Sequence, residues 1–291
     1  MTVNFDKIGL TARLAAYMRQ YSDIPFATDV AQRLRVQETF DKLLQDSHMT
    51  PADLLWYAPI FEVRYKSIAQ TIRTCGAMQV IELASGLSLR GLAMTSAIGN
   101  LTYVETDLED LTEAKAALVD ELRRQHNLPA SASYRLVVAN ALDWGLLQLA
   151  VQSLRHDQPI AVVNEGLFQY LSAGEMETVA RNVHALLADF GGVWITPDFS
   201  LKEDIGDVSE QQRRFRAIVA SATDRRMYNN AFDNQQQLQS FFDRLGLRAR
   251  ILNQVDVAPD IVCMGRLGLP HEILEQARPR LKLWILEPRP A

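Results

Sequence analysis

Short apolar runs alternate with longer amphipathic segments along most of the chain. The β-branched run at 80–83 stops at small residues and is followed by a helical pattern at about 89–98. The same patterns predict strands at 101–107, 135–139, 160–163, 193–196, 247–252, 261–266 and 281–286, and helices at 111–125, 173–190, 202–226 and 233–245. Such alternation predicts an α/β fold with a Rossmann-like, doubly wound, mostly parallel sheet. We expect the last strands to form an antiparallel C-terminal hairpin.

The first part of the chain has a helical pattern without strands. Apolar residues recur at helical spacing over 10–45, with a break at Ile24 and Pro25. Thr50 is placed to cap a helix that Pro59 interrupts, and a further helix reaches about residue 74. These patterns predict an N-terminal helical cap over 1–75 and a core over 76–291, with an insert at about 198–233.

Composition and charge are typical of a globular protein and argue against binding to nucleic acid or insertion into a membrane. Hydrophobic residues make up 48% and charged residues 22% of the 291 residues, which is typical of a globular domain. A net charge of −5 argues against a nucleic acid partner, because phosphate recognition relies on Lys and Arg. The start lacks a signal segment, and no apolar run is long enough for a membrane span. We therefore expect a cytoplasmic protein without nucleic acid or membrane partners, and leave its oligomeric state open.

The cysteines and histidines give no metal pattern. Cys75 and Cys263 lie far apart in the sequence, which is typical of reduced thiols in a cytosolic protein. The five histidines form no pair with ligand spacing. We therefore assign no metal.

The turn after the first strand is the first candidate for a ligand site. Gly86 has Ala84 two residues before it and Ser88 two residues after it, so the glycine pattern of a dinucleotide-binding turn is incomplete. Gly91 is followed by Leu92, which excludes a P-loop. A small-residue turn behind Glu82 remains, and an ordinary strand-to-helix turn is the alternative interpretation.

Polar side chains end four of the predicted strands. They are Glu82, Glu105 with Asp107, Asn140, and Asn164 with Glu165. Ligands of open α/β sheets bind outside these carboxyl ends. A carboxylate after the second strand suits a ribose diol, because it can accept both hydroxyl protons. Without a glycine-rich turn for a diphosphate, S-adenosylmethionine fits these residues better than a nicotinamide dinucleotide.

Several motifs carry a resemblance to a known family. They are Leu83-Ala84-Ser85-Gly86-Leu87-Ser88-Leu89-Arg90, Val104-Glu105-Thr106-Asp107 with Lys115, Glu165-Gly166-Leu167-Phe168-Gln169-Tyr170-Leu171, and Thr11-Ala12-Arg13 with Ala16, Tyr17 and Arg19. In this order they resemble class I S-adenosylmethionine-dependent methyltransferases. Within that group the chain is similar to the leucine carboxyl methyltransferases and the O-methyltransferases of polyketide tailoring.

The resemblance implies a set of cofactor-binding positions for S-adenosyl-L-methionine. They are Arg64, Glu82, Ala84, Gly86, Glu105, Asp107, Asn140, Ala141, Leu142, Glu165 and Gly166. Asp107 would hold the ribose, with Glu105 as the second candidate. Asn140 would lie by the adenine, and Ala141 and Leu142 would flank its ring. Glu165 would meet the methionine amino group, and Arg64 could pair with its carboxylate. Ala84 and Ser88 depart from the family's Gly and Asp.

The resemblance further implies methyl transfer to oxygen. The expected acceptor is a carboxylate or hydroxyl of a small molecule or natural-product intermediate, with Tyr17, Tyr170 and Asp198 as candidate contacts. For Tyr170 the sequence favours core packing over acceptor contact. The insert at 198–233 is expected to contribute to the acceptor pocket. We assign no catalytic residue, because an ionised carboxylate acceptor needs no general base. A non-catalytic cofactor-binding protein and a nicotinamide-dependent enzyme remain as alternatives.

Overall fold

A seven-stranded sheet forms the centre of the computed structural model, which describes residues 9–45, 49–205, 213 and 231–289. The strands run in the order β3-β2-β1-β4-β5-β7-β6. They are β1 (Gln79–Leu83), β2 (Thr102–Asp107), β3 (Tyr134–Val138), β4 (Ile160–Asn164), β5 (Gly192–Thr196), β6 (Leu247–Asn253) and β7 (Lys282–Pro288). Strands β1 to β5 are parallel, and β7 pairs antiparallel with both β5 and β6. This confirms the predicted fold class.

The register brings the carboxyl ends of the parallel strands to one edge. Glu82 of β1 is paired with Glu105 of β2, and Leu83 is paired with Asn164 of β4. The strand order reverses around β1, whose two neighbours are β2 and β4. Ligands of open α/β sheets bind at such a reversal, so this edge is the place to look for a site.

Helices cover the N-terminal part and both faces of the sheet. They are α1 (Leu10–Arg19), α2 (Ala27–Arg33), α3 (Val36–Leu44), α4 (Ala58–Thr74), α5 (Arg90–Ala97), α6 (Glu109–Gln125), α7 (Trp144–Val151), α8 (Ala173–Phe190), α9 (Lys202–Ile205), α10 (Gln235–Arg244), α11 (Gln254–Val257), α12 (Val262–Leu267) and α13 (Glu272–Ala277), with 3₁₀ turns at Pro51–Tyr57, Phe168–Tyr170 and Arg278–Arg280. The helical start of the chain is thus confirmed. Most of the predicted helix at 202–226 and of the insert at 198–233 lies outside the described residues. Within the described ranges, no helix combines the length and apolar character that a membrane span needs.

The prediction of a strand at 261–266 is wrong, because this segment is the helix α12. The Glu62 carboxylate of α4 accepts hydrogen bonds from the backbone N–H groups of Val262 (2.9 Å) and Cys263 (2.8 Å). These are among the N–H groups that the first turn of a helix leaves unpaired, so a buried carboxylate stabilises the helix start. The partner lies 200 residues away in sequence, and no local pattern reports it.

Helix α4 forms polar contacts with the N-terminal helical segment and with the C-terminal part of the chain. Lys66 lies one turn after Glu62 and forms ion pairs with it (2.7 Å) and with Asp23 (2.6 Å), and it also donates to the backbone oxygen of Asp260. Leu14 of α1 and Val80 of β1 belong to the same buried apolar cluster. The N-terminal helices therefore pack directly onto the sheet.

Candidate functional site

The turn between β1 and α5 is bonded to the neighbouring strand. The Ser85 N–H donates to the backbone oxygen of Thr106 (2.9 Å), and the Gly86 N–H donates to Asp107 Oδ2 (2.8 Å). The Ser88 N–H donates to the Ser85 oxygen (3.1 Å). These three amide groups already have acceptors inside the protein, so none of them is left to meet the phosphates of a dinucleotide.

Ala84 holds an unusual backbone conformation in this turn, with a φ of 49°, and Gly86 follows at 55°. A left-handed conformation costs a non-glycine residue about 1 kcal/mol. Glycine avoids this strain but raises the entropy of the unfolded chain, and we expect that second effect to be the smaller of the two. We expect Ala84→Gly to raise the free energy of unfolding by about 0.5 kcal/mol, measured by urea denaturation. The same exchange at Ala93 inside α5 is the control and should lower it by about 1 kcal/mol. Equal losses in both variants would contradict strain at Ala84.

Asp107 lies beside this turn at the end of β2. Its Oδ2 accepts from the Gly86 N–H, and its Oδ1 accepts from the Leu108 N–H (2.8 Å). The side chain is half-buried. A carboxylate is an acceptor-only group, and each of its oxygens can accept more than one hydrogen bond. The structure thus fixes a partly exposed carboxylate next to the small-residue turn.

Glu105 lies on β2 two residues before Asp107 but is completely buried. It accepts hydrogen bonds from the Gly91 N–H (2.8 Å) and the Tyr134 hydroxyl (2.7 Å), and its Oε2 lies 2.7 Å from Lys115 Nζ. Lys115 also donates to the Ser85 hydroxyl (2.9 Å) in the turn. The structure therefore places Glu105 beneath the turn, where it supports the site without facing it.

Glu82 is buried in the same way at the end of β1. Its partners are the Tyr103 hydroxyl (2.6 Å) and the guanidinium of Arg90, which is itself 0% exposed. Burial raises the pKa of Glu82, and the charge of Arg90 opposes that rise. Helix α5 comes this close because Gly91 has no side chain: a Cβ there would lie 2.7 Å from Tyr103 Cδ1. Glu82, like Glu105, lies below the turn.

Glu165 follows β4 and carries two ion pairs. Arg19 Nη2 of α1 lies 2.6 Å from its Oε1, and Arg90 Nη2 lies 2.6 Å from its Oε2. Both guanidinium groups also lie over the ring of Tyr65, at 5.5 and 4.6 Å. Burial alone would raise the pKa of Glu165, but the charges of Arg19, Arg90 and Arg64 outweigh burial and lower it to about 2. Glu165 is therefore ionised at any physiological pH.

The pKa of Glu165 predicts a pH dependence of stability. Since the folded pKa is about 2 and the ordinary value is 4.5, ionised Glu165 stabilises the fold above pH 4.5. This contribution, about 3 kcal/mol, should be lost as pH falls from 4.5 towards 2. We expect the difference in unfolding free energy between wild type and Glu165→Gln to shrink over this range in urea denaturations at pH 5, 4 and 3. A difference that is independent of pH would contradict the assignment.

Arg64 of α4 is a cation whose charge acts on the carboxylates of both Glu165 and Asp198. It forms no ion pair with any residue in the described part of the chain, and its buried Nε has no hydrogen-bond partner. Its guanidinium lies 5.8 Å from the centre of the Phe61 ring. Because its charge also lowers the pKa of Glu165, Arg64 adds positive charge to the same end of the site.

The loop after β3 forms a small, internally bonded turn. Asn140 is exposed, and its Oδ1 accepts from the Leu142 N–H (3.0 Å). Ala141 is buried, and its backbone oxygen accepts from Asn182 Nδ2 (2.9 Å) of α8. The three positions expected beside an adenine thus share one loop at the sheet edge.

Asp198, an expected acceptor contact, bonds to the turn after β4. Its carboxylate accepts from Asn164 Nδ2 (2.7 Å) and from the backbone N–H groups of 166–168 (2.7, 2.7 and 3.2 Å). Gly166 has a φ of 76°, which this turn requires. Asp198 therefore holds Glu165 and Gly166 in place through the backbone.

The two tyrosines expected near the acceptor lie in different surroundings. Tyr17 of α1 is buried among the N-terminal helices, with its ring 4.7 Å from that of Phe40. Tyr170 is half-buried in the 3₁₀ turn after β4. The described residues contain no group of three or more His, Cys, Asp or Glu side chains arranged to hold a metal ion.

Sequence reasoning gave no role to Arg19, Arg90 and Lys115, which hold the site together. All three stand in the motifs that carry the family resemblance, so a signal was available. Their role was missed because the carboxylates they pair with belong to other elements.

Comparison of the sequence with known proteins finds methyltransferases. The sequence profile of the leucine carboxyl methyltransferase family matches residues 14–184. A protein of Mycobacteroides abscessus, assigned as an S-adenosyl-L-methionine-dependent methyltransferase, is 27% identical over 234 residues, which cover 73% of this chain and 74% of the relative. One of Mycolicibacterium smegmatis with the same assignment is 28% identical over 141 residues, 48% of this chain and 46% of the relative.

Two solved structures show the same fold. A protein of Thermobifida fusca assigned as a methyltransferase superposes with a TM-score of 0.59 at 14% identity, and 99% of this chain and 97% of the other are covered. A DUF574 family protein of Streptomyces avermitilis superposes with a TM-score of 0.57 at 14% identity, with 98% of both chains covered. Both confirm the arrangement of the sheet and helices.

Proposed function

The chain belongs to the leucine carboxyl methyltransferase family, and from this we propose that it transfers a methyl group to a carboxylate or hydroxyl oxygen of a small molecule. Family membership and the assignment of its relatives make it an S-adenosyl-L-methionine-dependent methyltransferase. The oxygen acceptor and the roles of individual residues are the parts that we propose.

One observation carries the proposal: oppositely charged side chains lie at the sheet edge where the strand order reverses, beside the small-residue turn after β1. Asp107 offers acceptor oxygens next to Gly86, Glu165 is ionised after β4, and Arg64 has a buried Nε without a partner. A ribose needs acceptors, an ammonium needs an anion and a carboxylate needs a cation. The residues therefore fit a nucleoside joined to a zwitterionic amino acid.

In this proposal three side chains bind the three polar parts of the cofactor. Asp107 would accept the ribose hydroxyls, Glu165 would accept from the amino group, and Arg64 would pair with the carboxylate. Bound S-adenosyl-L-methionine supplies a methyl group that its positive sulfur has already activated. A carboxylate acceptor is ionised at neutral pH, so no side chain has to remove a proton from it. Catalysis then consists of holding the acceptor oxygen in line and excluding water.

The turn argues against the nicotinamide alternative. A dinucleotide places its diphosphate against free amide N–H groups at the start of a helix. Here the N–H groups of Ser85, Gly86 and Ser88 donate to Thr106, Asp107 and Ser85. A diphosphate would have to break these bonds, whereas a sulfonium requires no such donors.

Binding and transfer assays test the proposal. Calorimetry should detect S-adenosylhomocysteine and should detect no NAD⁺ at the same concentration. With methyl-labelled S-adenosylmethionine and a panel of small carboxylic acids and phenols, label should move to an acceptor. Alkali then separates the two acceptor classes, because methyl esters release methanol and methyl ethers do not. Tight binding without transfer to any acceptor would support the non-catalytic alternative, and binding of NAD⁺ alone would refute the proposal.

A further inference from the structure

The Glu165 carboxylate already has two cationic partners in the protein. Arg19 holds one oxygen and Arg90 holds the other, each at 2.6 Å. The Glu165 side chain is only 8% exposed, so its surroundings screen charges weakly. A third cation at this carboxylate would be repelled by two guanidinium groups. The amino group of the cofactor therefore cannot simply be added to the arrangement seen here.

The two arginines differ in how firmly they are held. Arg90 is 0% exposed and also pairs with Glu82, so moving it would leave a second buried carboxylate without its cation. Arg19 has Glu165 as its polar side-chain partner among the described residues, and its Nε has none. It extends from the last residue of α1, and moving its side chain leaves no second buried carboxylate without a cation. Arg19 is the partner that can leave.

We infer that Arg19 occupies the place on Glu165 that the amino group of the cofactor must take, so that helix α1 competes with the cofactor for this carboxylate. The inference rests on the proposed function. In the proposed function the carboxylate of the same ligand pairs with Arg64, whose buried Nε has no hydrogen-bond partner, so Arg19 is not needed to bind it. Cofactor binding then breaks the ion pair between Arg19 of α1 and Glu165 at the sheet edge. Arg19 is a specificity-determining residue, because only a ligand with an ammonium group can replace it.

The test compares two ligands that differ in this amino group. S-adenosylhomocysteine carries the amino-acid tail, and 5′-methylthioadenosine keeps the nucleoside without it. We expect Arg19→Ala to bind S-adenosylhomocysteine about fivefold more tightly than wild type and 5′-methylthioadenosine with unchanged affinity, both by calorimetry. Arg13→Ala is the control on the same helix, since Arg13 donates to the backbone oxygen of Leu34 (2.5 Å). It should change neither affinity.

Each outcome decides the inference. Unchanged or weaker binding of S-adenosylhomocysteine by Arg19→Ala would overturn it and would make Arg19 a residue that positions Glu165 or holds the ligand carboxylate. If neither ligand binds to wild type or to any variant, the proposed function itself fails. Should Arg19→Ala not fold, Arg19→Gln keeps a hydrogen-bond donor near Glu165 without the charge, and the same selective gain is expected.

Discussion

Asp107→Ala is expected to weaken S-adenosylhomocysteine binding about 100-fold, because two charge-assisted hydrogen bonds to the ribose would be lost. The carboxylate is held for this task by the N–H groups of Gly86 and Leu108. Calorimetry on the purified variant measures the loss directly. The affinity for 5′-methylthioadenosine should fall by the same factor, since both ligands share the ribose.

The control for this variant is Glu109→Ala. Glu109 is an exposed carboxylate at the start of α6, two residues away, and its removal changes the charge by the same amount. Its affinity should stay within about twofold of wild type, because exposed charges are screened. If Asp107→Ala binds as tightly as Glu109→Ala, the ribose assignment is wrong.

Lys115→Met should lower the free energy of unfolding by about 3 kcal/mol, because it leaves Glu105 buried without a cation. Lys115 is 1% exposed and Glu105 is 0% exposed, with 2.7 Å between Nζ and Oε2. The change also removes the donor to the Ser85 hydroxyl in the turn. Urea denaturation at pH 7 measures the loss.

A second substitution tests the reason for this loss. Lys115→Met combined with Glu105→Gln removes the uncompensated charge, so the double variant should be more stable than Lys115→Met alone. Lys202→Met is the surface control, since Lys202 and Asp233 are 61% and 56% exposed, and it should cost less than about 0.5 kcal/mol. A double variant less stable than Lys115→Met would show that packing, and not charge, causes the loss.

Periodicity predicted most of the fold, because most elements have a clear apolar face. Helix α8 was expected at 173–190 and is found at Ala173–Phe190, where Ser172 and Glu175 form a capping box. The failure at 261–266 has a different origin, since six mostly apolar residues suit a strand or a buried helix equally. The choice depends on Glu62, and nothing near 261–266 in the sequence reports this contact.

The sequence predicted the location of the candidate site, because the carboxyl ends of the strands could be identified, but it did not predict which side chains face the site. The approach of Asp107 to Gly86 follows from parallel neighbours, because carboxyl ends of such strands meet at one edge. The same reasoning included Glu82 and Glu105 among the cofactor-binding positions, with Glu105 second to Asp107 for the ribose, but their side chains pair with Arg90 and Lys115 below the turn. A sequence shows which residue ends a strand. It does not show which carboxylate forms an ion pair with a buried cation of another element.

The contacts of Glu62 affect how the chain folds while it is being synthesised. Its two backbone partners lie 200 and 201 residues further along, so they leave the ribosome long after α4 has emerged. Until then Glu62 can pair with Lys66 of its own helix but lacks its amide donors. Contacts of such long sequence separation slow folding and leave early segments open to aggregation. Nascent chains that stop before residue 262 should therefore depend on chaperones more than chains that include the segment 262–289.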